Sequence, residues 1–477
     1  MTQQPNEAIS PFEWSAAQID AAFASLSKHV GPWWEGIASL NPAGTAHDAA
    51  THSVRADWTH SFEERTPPEH GTLLDGVLPE LIKNLGRDGQ VVGHPTYLAY
   101  VAGAANPVAA VGQALSMLLN PYTGTFTTAP AAVKLEDQTL RWLMTMMGWP
   151  ETGSGLLTTG SSLAIFSAVL AAREAKPAAV GKRRVYVSDQ AHHCIGKALF
   201  AAGFLPEETA VIPSADGRLV PERAADRIRK DKALGLTPLM LVGTAGTTNL
   251  GRVDALNDLA DLCRTEDMWF HVDGAYGGFF KLLPEAKILS GLERGDSLSL
   301  DPHKAFCMPY GTGALLVKDV QRIRWPRGLD ASYMPPYDPS HMRLEYSDIS
   351  PELSRDFRGL RLWLSLKVFG LESFRSHLLT KWHQGRWLCD ALEHHGAFEI
   401  VARPDLSLFA WRLKNDSTNQ KTRELFHAVN SSGKFFLTAC EVGGKFVIRT
   451  CILGFRTQQH DLGELCEWLF AHAERIK

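Results

Sequence analysis

Ser297-Leu-Ser-Leu-Asp301-Pro302-His303-Lys304, followed shortly by Pro309-Tyr310-Gly311-Thr312-Gly313-Ala314-Leu315-Leu316-Val317, decides how this chain is read. Two short apolar runs of strand character flank a break made by Pro302 and closed by Gly311 and Gly313, and one lysine sits on that break. Breaks at strand ends are where α/β sheets expose side chains for chemistry. A lone lysine is ordinarily a solvated surface group. Lys304 is singled out as a candidate reactive amine by the residues that precede it.

Upstream, Met268-Trp-Phe-His-Val-Asp273-Gly274-Ala275-Tyr276 is a continuous apolar run that ends in an aspartate among small residues. A carboxylate at the end of a buried strand costs several kcal/mol unless it meets a cation or a donor, so Asp273 needs a partner. Earlier still, Gly155 to Thr159 runs as a strand into Gly160-Ser161-Ser162 and an Ala-rich helix through Arg173. Free N–H groups and the positive dipole end at such a helix start can seat an anion, although serine there is also an ordinary cap. Arg184 to Ser188 leads into Asp189-Gln-Ala-His192-His193, where His192 either faces a pocket or is half-buried surface. Leu239 to Thr248 is another strand with a small-residue loop, followed by a helix from Asp254 to Cys263. This alternation from about 155 to 318 predicts an α/β fold with a mostly parallel, doubly wound sheet.

The flanks differ. Residues 1–92 carry helical pieces (Ala16 to Ser27, Leu73 to Leu85) without strand alternation and read as a helical arm. Residues 93–352 form the expected large domain, and 353–477 a smaller α+β domain with strands at Leu406 to Leu413 and Lys445 to Cys451. Gly328 to Pro339 is long enough for a mobile lid or an inert loop.

With 477 residues, 45% of them apolar, the chain is large enough for an extensive core. A net charge of -4 without a Lys/Arg block gives no footprint for nucleic acid or an anionic membrane. No secretory signal or bilayer-spanning run is visible, so a soluble cytoplasmic protein is expected. The 7 cysteines show no paired metal-ligand spacing, and no metal site is expected.

An anion seat, a buried carboxylate and a reactive lysine at successive strand ends suit pyridoxal 5′-phosphate: the lysine joins its aldehyde, the carboxylate holds its pyridine nitrogen protonated, and the helix start takes its phosphate. The sequence also resembles the group II pyridoxal-phosphate-dependent amino-acid decarboxylases, which include aromatic-L-amino-acid and glutamate decarboxylases. The resemblance rests on Ser188-Asp-Gln-Ala-His192, Gly246-Thr247-Thr248, His271-Val-Asp273-Gly-Ala275-Tyr, Asp301-Pro-His303-Lys304 and Arg355 to Trp363, all in family order. It implies the fold type I architecture, a seven-stranded type of sheet with helices on both faces, and a homodimer with shared active sites.

The same resemblance assigns roles. Lys304 would carry the cofactor, Asp273 face its ring nitrogen, His192 stack on one ring face and Ala275 pack on the other. Gly160, Ser161, Ser162 and Ser297 would neighbour the phosphate, with Thr247 and His303 beside the ring. Arg449, then Arg355, are candidates for the substrate carboxylate, with Tyr100 at the substrate pocket and Tyr333 on the mobile loop as proton donor, His192 assisting. The implied reaction converts an L-amino acid to its amine and carbon dioxide. Decarboxylation-dependent oxidative deamination, aminotransfer and carbon-carbon lysis use the same scaffold, and a catalytically silent cofactor-binding dimer is the rival of a different class.

Several positions depart from the family pattern, among them Leu163 and Ile165 after the glycine-serine seat and the small Tyr122 to Phe126 region. Val101 and Ala102 after Tyr100 are smaller than in aromatic-amino-acid decarboxylases, which argues against a catechol or indole substrate. Phe306 stands where an aromatic Trp is common one step earlier. Asp301 replaces the Asn of some relatives; a second anion beside a phosphate is repelled unless it points away, so Asp301 receives no cofactor contact.

Overall fold

The computed structural model describes residues 14–48, 53–54, 64–325 and 345–475. They belong to two compact units, Met1–Tyr97 with His427–Phe436, and Leu98–Phe426 with Leu437–Lys477.

The first unit carries α1 (Ala16–Glu35), a two-stranded ladder of β1 (His47–Asp48) and β2 (Ser53–Val54), and α2 (Leu74–Arg87). Ser15 caps α1 in a capping box with Gln18, and the helix runs eight residues past the expected end at Ser27, through Pro32. Residues 427–436 belong to this unit, where Phe436 forms an isolated parallel bridge with Tyr97 and its N–H donates to the Thr96 carbonyl at 3.2 Å. A division of the sequence at residue 92 does not anticipate that pairing.

The second unit begins with α3 (Pro107–Leu119) and α4 (Pro130–Met147), then alternates β3 (Ser154–Thr158), α5 (Ser161–Ala175), β4 (Arg183–Ser188), α6 (Cys194–Ala201), β5 (Thr209–Ile212), α7 (Pro221–Ala233), β6 (Thr237–Thr244), α8 (Leu256–Thr265), β7 (Trp269–Asp273), β8 (Ser297–Leu300) and β9 (Gly313–Val317). These strands form one seven-stranded sheet in the order β3-β9-β8-β7-β6-β4-β5. Every pairing from β8 to β5 is parallel, and β9 alone runs against its two neighbours. Strands β7, β8 and β9 are buried almost throughout, as expected of strands covered on both faces, which explains their unbroken apolar runs.

Helix α5 packs on this sheet through Ala164, Ile165, Ala168, Val169, Ala171 and Ala172, all fully buried; small side chains let its axis come close to the strands. Its start is fixed by a glycine contact: a Cβ on Gly313 would stand 2.4 Å from the Gly160 Cα. Downstream lie α9 (Tyr346–Ile349), α10 (Gly359–His395, broken at Gly370 with φ 73°), β10 (Phe398–Ala402), β11 (Leu408–Leu413), α11 (Gln420–Ser431), β12 (Thr438–Val442), β13 (Lys445–Cys451) and α12 (Gln459–Ala473). Their strands make an antiparallel sheet in the order β10-β11-β13-β12. The fold class read from the sequence, a mostly parallel sheet plus a small C-terminal sheet, is the one observed.

Candidate active site

The C-terminal ends of β4, β6, β7 and β8 and the start of α5 converge on one pocket of about 470 Å³. Parallel strands deliver their loops to the same sheet edge, so residues more than a hundred positions apart meet there. Gly160, Ser161, Ser162, His192, Asp273, Ala275, His303 and Lys304 all line it, as the sequence predicts. Thr159, Cys194, Thr244, Gly246, Thr248, Tyr276, Asp301, Tyr310 and Gly311 complete the wall.

Lys304 sits on a tight turn. Its N–H donates to the Asp301 carbonyl at 2.9 Å, and its own carbonyl accepts from the Cys307 N–H at 3.2 Å. Cys307 has a left-handed backbone (φ 53°), uncommon for a residue with a side chain. Asn106 secures it from α3's cap position, donating to the Cys307 carbonyl from its backbone N–H at 2.8 Å and its side-chain amide at 3.0 Å. The Lys304 amine lies 3.1 Å from Asp301 Oδ2. Burial opposes the charge on Lys304, but the Asp301 and Asp273 carboxylates outweigh it and raise its pKa above the ordinary lysine value.

Asp273, at the end of β7, finds the partners that its burial demands. Its Oδ1 accepts from the Ala275 N–H at 3.1 Å and the Ser299 hydroxyl at 3.4 Å. His192 accepts the Cys194 N–H on Nδ1 at 3.2 Å, which puts the proton of the neutral ring on Nε2. Burial lowers its pKa, against the opposing pull of Asp273, so the ring is neutral at pH 7. At the start of α5, Ser161 donates its N–H to Asp301 Oδ1 at 2.7 Å, while its hydroxyl is buried without a hydrogen-bond partner. A buried orphan hydroxyl at a helix N-terminus suits a ligand anion.

Five of the predicted residues that the structure describes do not line the pocket. Ser297 opens β8 at its far end, and its hydroxyl is taken by Trp269 Nε1 and His271 Nδ1, each at 2.8 Å. Thr247 is fully buried; its hydroxyl accepts from the Arg252 N–H at 3.1 Å and so shapes the loop that presents Gly246 and Thr248. Arg355 lies in the interior, donating to Glu136 Oε1 at 2.6 Å and the Leu157 carbonyl at 3.0 Å. Arg449, on β13, donates to the carbonyls of Thr248 and Asn249 and to Thr438 Oγ1, which makes it a brace behind the pocket wall. Tyr100 is half exposed, and Tyr333 falls outside the described residues.

Asp301 is the reverse case: given no contact from sequence, it reaches Lys304, Ser161 and His303 at once. Its position three residues before the lysine, on the same turn, was the available signal. Val101 and Ala102 are buried outside the pocket, so their small size does not enlarge it.

Comparison with known proteins follows the same line. The aromatic-L-amino-acid decarboxylase of Bacillus atrophaeus is 31% identical over 423 residues, 86% of this chain and 87% of that protein. The phenylacetaldehyde synthase of Arabidopsis thaliana is 29% identical over 84% of this chain and 86% of its own. The solved structure of Oryza sativa TDC with PLP and tryptamine shares the fold, with a TM-score of 0.91 and 24% identity over 98% of this chain and 99% of that one. A family model described as the pyridoxal-dependent decarboxylase conserved domain matches residues 60–414, and the chain belongs to that family.

Proposed function

We infer that this protein is a carboxy-lyase that removes the α-carboxylate of an L-amino acid as carbon dioxide, with pyridoxal 5′-phosphate as cofactor. The observation that carries this reading is the convergence of Lys304, Asp273, His192 and the start of α5 on one pocket. The residues fit the cofactor: an amine for its aldehyde, a carboxylate for its ring nitrogen, and an orphan hydroxyl at a helix start for its phosphate. When bound, the cofactor supplies an electron sink for the pair left behind as carbon dioxide departs.

The chain's own groups do the rest. Lys304 would hold the cofactor through its side-chain amine. Asp273 would keep a proton on the ring nitrogen, and Gly160, Ser161 and Ser162 would take the phosphate. His192 and Ala275 would flank the cofactor ring, with His303 beside them. Tyr333 is our candidate for returning a proton to the substrate carbon.

For substrate class, an aromatic L-amino acid is the first to test, because the Bacillus atrophaeus relative is named for that activity and the small residues Val101 and Ala102 lie outside the pocket. Oxidative deamination is the second reading, favoured by the aldehyde synthase among the relatives. We also propose a homodimer, supported by the exposed apolar residues Val111, Leu115, Met117, Leu118 and Leu119 on α3, with Tyr100 offered to a partner's site. A cytoplasmic location is supported by seven free cysteines and by the absence, among the described residues, of any helix long and apolar enough to cross a membrane.

Cofactor-loaded protein incubated with aromatic L-amino acids tests the reading, with carbon dioxide, ammonia and peroxide followed together. Carbon dioxide without ammonia is expected. Ammonia and peroxide in equal yield would move the assignment to the oxidative reaction, and no product from any amino acid would overturn it.

A further inference from the structure

We propose that the carboxylate of Asp301 is a positioning residue that holds the Lys304 amine in the site before cofactor capture and keeps the lysine nitrogen protonated afterwards. The proposal rests on the cofactor reading above. Its basis is a bridge: Asp301 Oδ1 accepts the first N–H of α5 from Ser161 at 2.7 Å, and Oδ2 stands 3.1 Å from the Lys304 amine. Asp301 itself is buried, so the bridge is shielded from solvent and weakly screened by salt.

Two features show that the bridge is directed at the lysine. His303 also approaches, with Nε2 3.5 Å from Asp301 Oδ2, but its Nδ1 faces the Thr312 carbonyl at 2.8 Å and must carry the proton there. Burial lowers the His303 pKa, so the neutral ring turns a lone pair toward Asp301 and does not neutralise it. Lys304 is thus the cation matched to this carboxylate. The other groups that act on Lys304 are Asp273, Cys194, Cys451, His192 and Tyr310, and among the described residues Asp301 is the carboxylate within ion-pair distance.

Anchoring follows from the helix. A carboxylate fixed to the start of a fifteen-residue helix cannot swing, so the amine paired with it loses little further freedom when it reacts. Retention of the proton follows from Coulomb attraction in a partly buried site. The same carboxylate sets a negative charge at the helix start, where an incoming anion would sit, so its charge weakens the seat for free phosphate.

Asp301→Asn tests this, because the amide oxygen retains the Ser161 contact while the charge is lost. In cofactor-loaded protein the pH midpoint of the long-wavelength absorbance band is expected to fall by at least about one unit. Inorganic phosphate should bind the cofactor-free variant about tenfold more tightly than wild type, read by thermal shift. Asp301→Glu, which keeps the charge, should return the midpoint most of the way. Should the Asn protein not fold, Asp301→Ser carries the same expectation. A folded Asn or Ser variant whose midpoint stays at the wild-type value would overturn the proposal. Wild-type protein that shows no such band with pyridoxal phosphate would overturn the cofactor reading itself, and this proposal with it.

Discussion

Gly103 lies so close to Lys304 that a Cβ at position 103 would stand 1.8 Å from the Lys304 carbonyl oxygen. Neither residue announces this contact in the sequence, yet it fixes the backbone of the reactive lysine from behind. Gly103→Ala must push the 304–307 turn outward, an overpacking change that costs about 1–3 kcal/mol. Turnover should fall by about 10²-fold, as expected when a reacting group shifts by an ångström. Cofactor content by absorbance and kcat by product formation would check it together; a fully active alanine enzyme would mean the turn is free to move.

The Asn106 grip on Cys307 makes a related prediction with a built-in rescue. Asn106→Ala leaves the left-handed Cys307 with a buried carbonyl short of one donor and should lower stability by about 1–2 kcal/mol. Adding Cys307→Gly, which adopts a positive φ without strain, should restore part of the activity lost in the single variant. Chemical denaturation and kcat of the single and double variants decide it.

Ser297 is expected to matter for folding only. Ser297→Ala removes the shared partner of Trp269 and His271, and His271 Nε2 is already a buried nitrogen with no partner. Stability should drop by about 1–3 kcal/mol while cofactor affinity stays within about twofold. Ser299→Ala, beside Asp273, should reverse that pattern, and fluorescence titration with the cofactor separates the two.

The Arg355–Glu136 pair sits in the interior with neither side chain exposed. Arg355→Met strands a buried carboxylate and should cost about 3–5 kcal/mol. The double variant Arg355→Met, Glu136→Met should recover most of it, because two apolar groups of similar volume replace two buried charges. Urea denaturation of the three proteins would show whether the arginine is structural; a raised KM with normal stability would instead return it to the substrate site.

Acid sensitivity has an identifiable source in Glu208. Burial by itself would raise its pKa, but the two-pronged Arg183 guanidinium, with two contacts of 2.8 Å, and the N–H groups of Leu205 and Gly181 hold it down to about 2. A carboxylate whose pKa is lower in the folded chain stabilises fully above its ordinary value of 4.5, and that contribution is lost as pH falls toward about 2. Glu208→Gln should therefore flatten the loss of stability across that range while lowering stability at neutral pH. Melting temperature against pH for both proteins measures it.

The sequence by itself determined the sheet, the pocket's principal groups and the family. Apolar runs ending in Asp273 and Asp301, small residues at Gly160 to Ser162, and a lysine on a proline break are local signals, and parallel strands carry such ends to one edge. Only the tertiary structure decided which neighbours of those groups enter the site. Ser297 and Lys304 share one continuous stretch, but a strand rises about 3.3 Å per residue, which leaves Ser297 about 13 Å short of the strand end at Asp301. Arg355 looked available until Glu136, 219 positions away, claimed it. Asp301 looked repelled until the Ser161 N–H and the Lys304 amine gave it two partners. Strand ends are written in local pattern, whereas the pairing of a charge is settled by whatever the fold brings within about 3 Å of it.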